Sequence, residues 1–93
     1  ISHSMALSYI QLGEKEKGLD ILRQMADNEI EYATWYLSLS PRQFLTNAAS
    51  CRDNIDTLLR LVRYMEQADT DVAEQYNAKL EQIFNVYNTR LKK

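Results

Sequence analysis

The chain has 93 residues, 45% of them apolar and 26% charged, the composition of one small globular domain. Only two glycines and one proline occur, and sheets need a breaker at every turn, so this scarcity argues for a few long helices. Eleven basic and thirteen acidic side chains leave a net charge of −2; the signs are interleaved without a basic stripe, which argues against nucleic-acid binding, and no apolar run approaches the roughly 20 residues of a membrane span.

The chain opens Ile1-Ser2-His3-Ser4-Met5. Residues 1–4 read as a cloning remnant or a frayed terminus. Residues 5–93 read as a single α-helical domain, expected to be a fragment of a longer chain, because Met5, Leu7 and Ile10 make the first helix apolar enough to want a neighbour.

The first helix is predicted over residues 4–12, ended by Gly13, which tolerates a left-handed cap. Gly13-Glu14 turns the chain into a second helix over 15–27. Its apolar positions Leu19, Leu22, Met25 and Ala26 share one face, with Ile21 on a flank. Asp27 or Asn28 is a suitable cap for a third, bridging helix over 29–39. There Ile30, Ala33, Thr34 and Leu37 form one stripe, and Tyr32, Trp35, Tyr36 and Leu39 cover most of the remainder. A helix apolar nearly all round is usually buried on more than one side.

The clearest local signal is Ser40-Pro41-Arg42-Gln43. Ser40 suits a cap, Pro41 the first helical position, and Gln43 the partner position of a capping box. Phe44, Ala48, Cys51, Ile55, Leu58, Val62 and Met65 then recur at alternating gaps of four and three, a continuous seam widened by Leu45, Leu59 and Leu61. Ala68-Asp69-Thr70-Asp71 interrupts it, with Asp71 and Glu74 placed for a second capping arrangement. Ala73, Tyr76, Leu80, Ile83 and Tyr87 repeat the spacing, flanked by Val72, Phe84 and Leu91. The expected fold is all-α with about five helices: a hairpin, a bridging helix, and a long antiparallel pair, 41–67 against 71–91.

Residues 5–26 resemble a tetratricopeptide repeat. Ala6 stands where that repeat's first helix has a small residue and Tyr9 where it has its aromatic. Gly13 lies at the turn, Gly18 replaces the alanine that opens the second helix, and Met25 replaces a later alanine. Lys15 departs from the usual turn aromatic, and the closing proline is missing. The resemblance covers about a quarter of the chain.

A second likeness spans "LGEKEKGLDIL", "YATWYLSLSPRQF" and the long hairpin. This pattern is similar to the C-terminal region of large multi-pass bacterial membrane proteins that resemble protein O-mannosyltransferases. The likeness implies a soluble accessory domain on the periplasmic or other extracytoplasmic face, without catalytic machinery. Without it, the expected compartment is the cytoplasm.

No catalytic signature appears. His3 is the single histidine, and one histidine cannot supply the three or four ligands zinc takes. Cys51 cannot form an internal disulfide, and its place on the seam marks it as core rather than nucleophile. Glu29/Glu31, Asp53/Asp56 and Asp69/Asp71 sit at helix starts or on polar faces, where capping and solubility explain them. Gly13 and Gly18 frame a helical turn and build no phosphate loop. No cofactor or metal is expected.

What remains is an interaction surface. The resemblance implies a partner-binding face on the first helix, at Leu7, Ile10 and Gln11. The same apolar face is read in preference as the mark of a missing preceding repeat, and it also offers a route to homo-oligomers. Tyr32, Trp35 and Tyr36 are of the types that anchor interfaces. They are read first as glue between the amino-terminal and long hairpins, with Tyr32 or Tyr36 partly exposed. The candidate partner-binding residues are therefore Leu7, Ile10, Gln11, Tyr32 and Tyr36. The expected function is a non-catalytic protein–protein interaction scaffold, its partner another protein or its own parent chain.

Overall fold

A computed structural model describes residues 3–92. Those residues form four helices and no strand: α1 His3–Gln11, α2 Lys15–Leu37, α3 Pro41–Glu66 and α4 Thr70–Leu91. α1 includes His3 and Ser4, while Ile1 and Ser2 lie outside the described residues.

Gly13 makes the first turn. Its φ of 87° lies in the left-handed region that favours glycine. The Gly13 and Glu14 amides donate to the Ile10 and Tyr9 carbonyls, so the last turn of α1 is closed by backbone. α2 then crosses α1 at very short range. A Cβ added to Gly18 would lie 2.6 Å from the Ile10 side chain and 2.7 Å from the Ala6 carbonyl oxygen. Ala6 is fully buried at this crossing.

The expected bridging helix does not exist as a separate element. α2 runs unbroken for 23 residues, through Asp27 and Asn28. No proline or glycine interrupts it there, and neither side chain is needed as a cap. The Asp27 carboxylate instead accepts a 2.8 Å hydrogen bond from the Tyr76 hydroxyl on α4, and Glu29 accepts one of 2.7 Å from Asn54 on α3. A tertiary partner thus takes the Asp27 carboxylate that would have capped a new helix.

Two capping expectations also change. Ser40 occupies the N-cap of α3, with Pro41 at the first helical position, yet its side chain makes no capping bond; its carbonyl accepts from the Phe44 amide at 2.8 Å. α4 is capped by Asp69, whose carboxylate accepts from the Asp71 and Val72 amides, so Asp71 belongs to the first turn and not to the cap.

The core is one cluster to which all four helices contribute, α1 through Ala6 alone. Leu19, Leu22, Ala26 and Ala33 of α2 join Phe44, Cys51, Ile55, Leu58, Leu61, Val62 and Met65 of α3. Val72, Ala73, Tyr76, Leu80, Ile83 and Tyr87 of α4 complete it. The seam of α3 therefore serves two neighbours, α2 as well as α4. Ala48 and Leu59 are half-buried beside it, whereas Leu45 points to solvent and does not widen it. No polar or charged residue is buried among the described ones. The helices stack into an elongated body of 47 × 23 × 14 Å.

Arg90 locks the far end. Its guanidinium lies over the Phe44 ring, 4.7 Å from the centroid, and Nη1 donates to the Leu37 and Leu39 carbonyls at 2.5 and 2.6 Å. Leu37 ends α2, where unpaired carbonyls and the helix dipole both favour a cation.

Candidate interaction surface

The sequence offered five residues, and the fold does not bring them together. Leu7, Ile10 and Gln11 lie on α1, and Tyr32 and Tyr36 on the second half of α2. Gly18 marks the α1–α2 crossing, and Tyr32 follows it by fourteen residues, about 21 Å along the helix axis.

The α1 group is largely turned inward. Ile10 packs against Gly18 and the core, and Leu7 is half-buried; Gln11 alone of the three is exposed. The open face of α1 carries different residues. Met5, Tyr9 and Leu12 line a shallow groove with Ser4 and Ser8, and Leu12 is 76% exposed. Helical spacing puts Met5, Tyr9 and Leu12 on one side and Ala6 and Ile10 on the other. The sequence reading missed this because it took the repeat's binding face from the resemblance.

The α2 group is the opposite case. Tyr32 and Trp35 are 59% and 58% exposed, so they do not glue two hairpins together. Tyr36 is half-buried against the core. Ala26 and Ala33 face inward, which places residues 28, 31, 32 and 35 on the outer side of the same helix. Trp35 and Tyr36 meet edge to face, with ring centroids 5.1 Å apart. Asn28, Glu31, Tyr32, Trp35 and Tyr36 border an open groove of about 510 Å³. Helix continuity through Asp27 and Asn28 builds this strip, since a break there would have turned the aromatics elsewhere.

The groups capable of chemistry are each engaged in structure or solvated. The Cys51 side chain lies fully inside the core, its Sγ 3.9 Å from the Ala33 carbonyl oxygen, and burial pushes the thiol pKa up. A raised thiol pKa disfavours the nucleophilic thiolate. The His3 ring stacks on Tyr64, with centroids 5.2 Å apart. Asp56 pairs with Arg52 and Asp69 caps α4. The Tyr76 pKa is pushed up to about 12, first by burial and then by its hydrogen bond to Asp27. No group of three or more His, Cys, Asp or Glu side chains suited to a metal occurs among the described residues. No helix there is long and apolar enough to cross a membrane.

Comparison with protein-family models, with curated proteins and with solved structures finds no match to this chain.

Proposed function

We propose that the chain is a non-catalytic helical interaction module that binds a protein segment through the outer face of α2. The observation that carries this reading is the exposure of Tyr32 and Trp35 on a helix whose opposite face is core. Large aromatic side chains offer wide contact area at a low entropy cost, and they recur as binding hot spots. The helix that presents them is held by the Gly18 crossing near its start and by Arg90 at its end. A surface fixed in advance loses little freedom on binding.

The amino-terminal hairpin is tetratricopeptide-like in this proposal. Its support is the small-residue crossing of Ala6 and Gly18. A second reading, an accessory domain of a membrane glycosyltransferase-like parent, draws on the open apolar side of α1, where Leu12 and Met5 await a neighbouring helical unit.

Photocrosslinking separates these readings. p-Benzoylphenylalanine in place of Tyr32, within the natural full-length protein, is expected to give discrete adducts. Excess free chain should compete them away, and Trp35→Ala chain should not. Adducts no stronger than those from the same probe in place of Gln75, on the exposed side of α4, would overturn the α2 reading. Adducts formed within the parent chain from position 12 would support the accessory-domain reading.

A further inference from the structure

We propose that the Tyr32–Trp35–Tyr36 strip is a recognition site for a cationic side chain, an arginine or lysine carried by the partner segment. The inference rests on the reading of α2 as the docking face and names the chemistry of its ligand.

The fold's own use of its aromatics carries the argument. The chain has nine aromatic residues. Five of them have a cation over the ring: Lys17 over Tyr9, Arg90 over Phe44, Lys79 over Tyr76, and Arg52 over both Phe84 and Tyr87. Tyr64 is covered by the His3 ring. Tyr32, Trp35 and Tyr36 remain, and no lysine or arginine lies over them among the described residues.

Of the residues that line the groove, Glu31 is the charged one, and the cation at the end of α2, Arg90, is engaged with the Leu37 and Leu39 carbonyls and the Phe44 ring. Glu31 borders the groove, is exposed, and forms no ion pair among the described residues. Glu29 lies on the other flank, its carboxylate held by Asn54. Asn28 adds an exposed amide. The electron-rich faces of Trp and Tyr attract a cation, and Trp does so best. A carboxylate beside them adds attraction, and the open setting keeps each contribution small. An acidic or phosphorylated segment would meet Glu31 with like charge.

Trp35 is the single tryptophan, so its fluorescence reports on this site alone. The probe is a blocked peptide of alternating arginine and glycine, titrated into the 93-residue chain. The expected result is a saturable change in Trp35 emission that weakens as salt rises. The same peptide with citrulline in place of arginine should bind at least fivefold more weakly. Tyr32→Ala should weaken binding about fivefold, the exchange of one exposed cation–π contact worth about 1 kcal/mol. Glu31→Gln should weaken it about twofold and flatten the salt dependence. Tyr32 and Glu31 are exposed, so unchanged circular dichroism is expected for both variants.

Equal binding of the citrulline peptide would overturn the proposal. So would an emission change produced by a neutral oligosaccharide and not by the arginine peptide, or no saturable change at all. If position-32 crosslinks persist while the arginine peptide gives no signal, the cation assignment fails and the docking face stands. Loss of both removes the docking reading itself.

Discussion

The amino-terminal crossing and the three-helix body are held together in opposite ways. At the crossing, small residues let backbones approach: Ala6 and Gly18 leave no space for even one added carbon. In the body, large residues keep the axes apart and fill the gap, with Phe44, Leu58, Leu61 and Met65 almost wholly buried between α2 and α4. The first arrangement depends on the absence of atoms and the second on their presence. Single changes should therefore hurt the two regions for opposite reasons, and the damage should spread differently. α1 is nine residues long and borders chiefly α2, so it can detach alone. α3 touches both of its neighbours and cannot.

The largest effect should come from Ile55→Asp. It places a charge in the seam that α3 shares with α2 and α4, at a cost of at least ~4 kcal/mol. A 93-residue domain has roughly 5–14 kcal/mol of stability, so chemical denaturation should show this variant with a large part of that stability gone. A variant as stable as the parent would mean that the seam faces water.

Gly18→Leu comes next. The added side chain collides with the Ala6 carbonyl and Ile10, and overpacking of this kind costs about 1–3 kcal/mol. The loss should be confined to α1. Circular dichroism should lose about one short helix while the main melting transition moves little. An unchanged hairpin would show that the crossing has slack that the backbone distances do not reveal.

Arg90→Ala should cost roughly 1–2 kcal/mol, because it frees the Leu37 and Leu39 carbonyls and uncovers Phe44. Its effect belongs to the body, so the melting temperature should fall while α1 signals stay in place. A drop confined to α1 would break the division between the two regions.

The smallest effect is a pH dependence. The Tyr76 hydroxyl is held neutral by burial and by Asp27, with its pKa at about 12 against an ordinary value of 10.0. A raised folded-state pKa gives stability that is fully present below about 10 and is lost as pH rises through about 12. Denaturation of the parent and of Tyr76→Phe from pH 9 to 12 should show a steeper fall for the parent. Parallel curves would mean that Tyr76 ionises normally.

The contrast also explains which parts were readable from residues alone. α3 and α4 were legible because their apolar residues recur at three and four, and Pro41 marks a helix start. The close crossing was expected only through the repeat resemblance, which put the small residues Ala6 and Gly18 where two helices meet. The continuity of α2 was not. Asp27-Asn28 has the chemistry of a cap, and only the fold reveals that Tyr76, 49 residues away, takes the Asp27 carboxylate. The outward turn of Trp35 follows from that continuity and was hidden with it, whereas partial exposure was expected of Tyr32 or Tyr36. Arg90 carried no signal for its clamp, since its hydrogen-bond partners are backbone carbonyls 51 and 53 residues distant.

Residue-resolved amide hydrogen exchange tests the two-region account most directly. The amides of Leu22–Ala33 and Cys51–Met65 should be the slowest, opening only with global unfolding. Residues 27–30 should be as protected as their neighbours, and α1 should exchange through a cheaper local opening. Fast exchange at residues 27–30, or α1 amides as slow as those of α3, would contradict it.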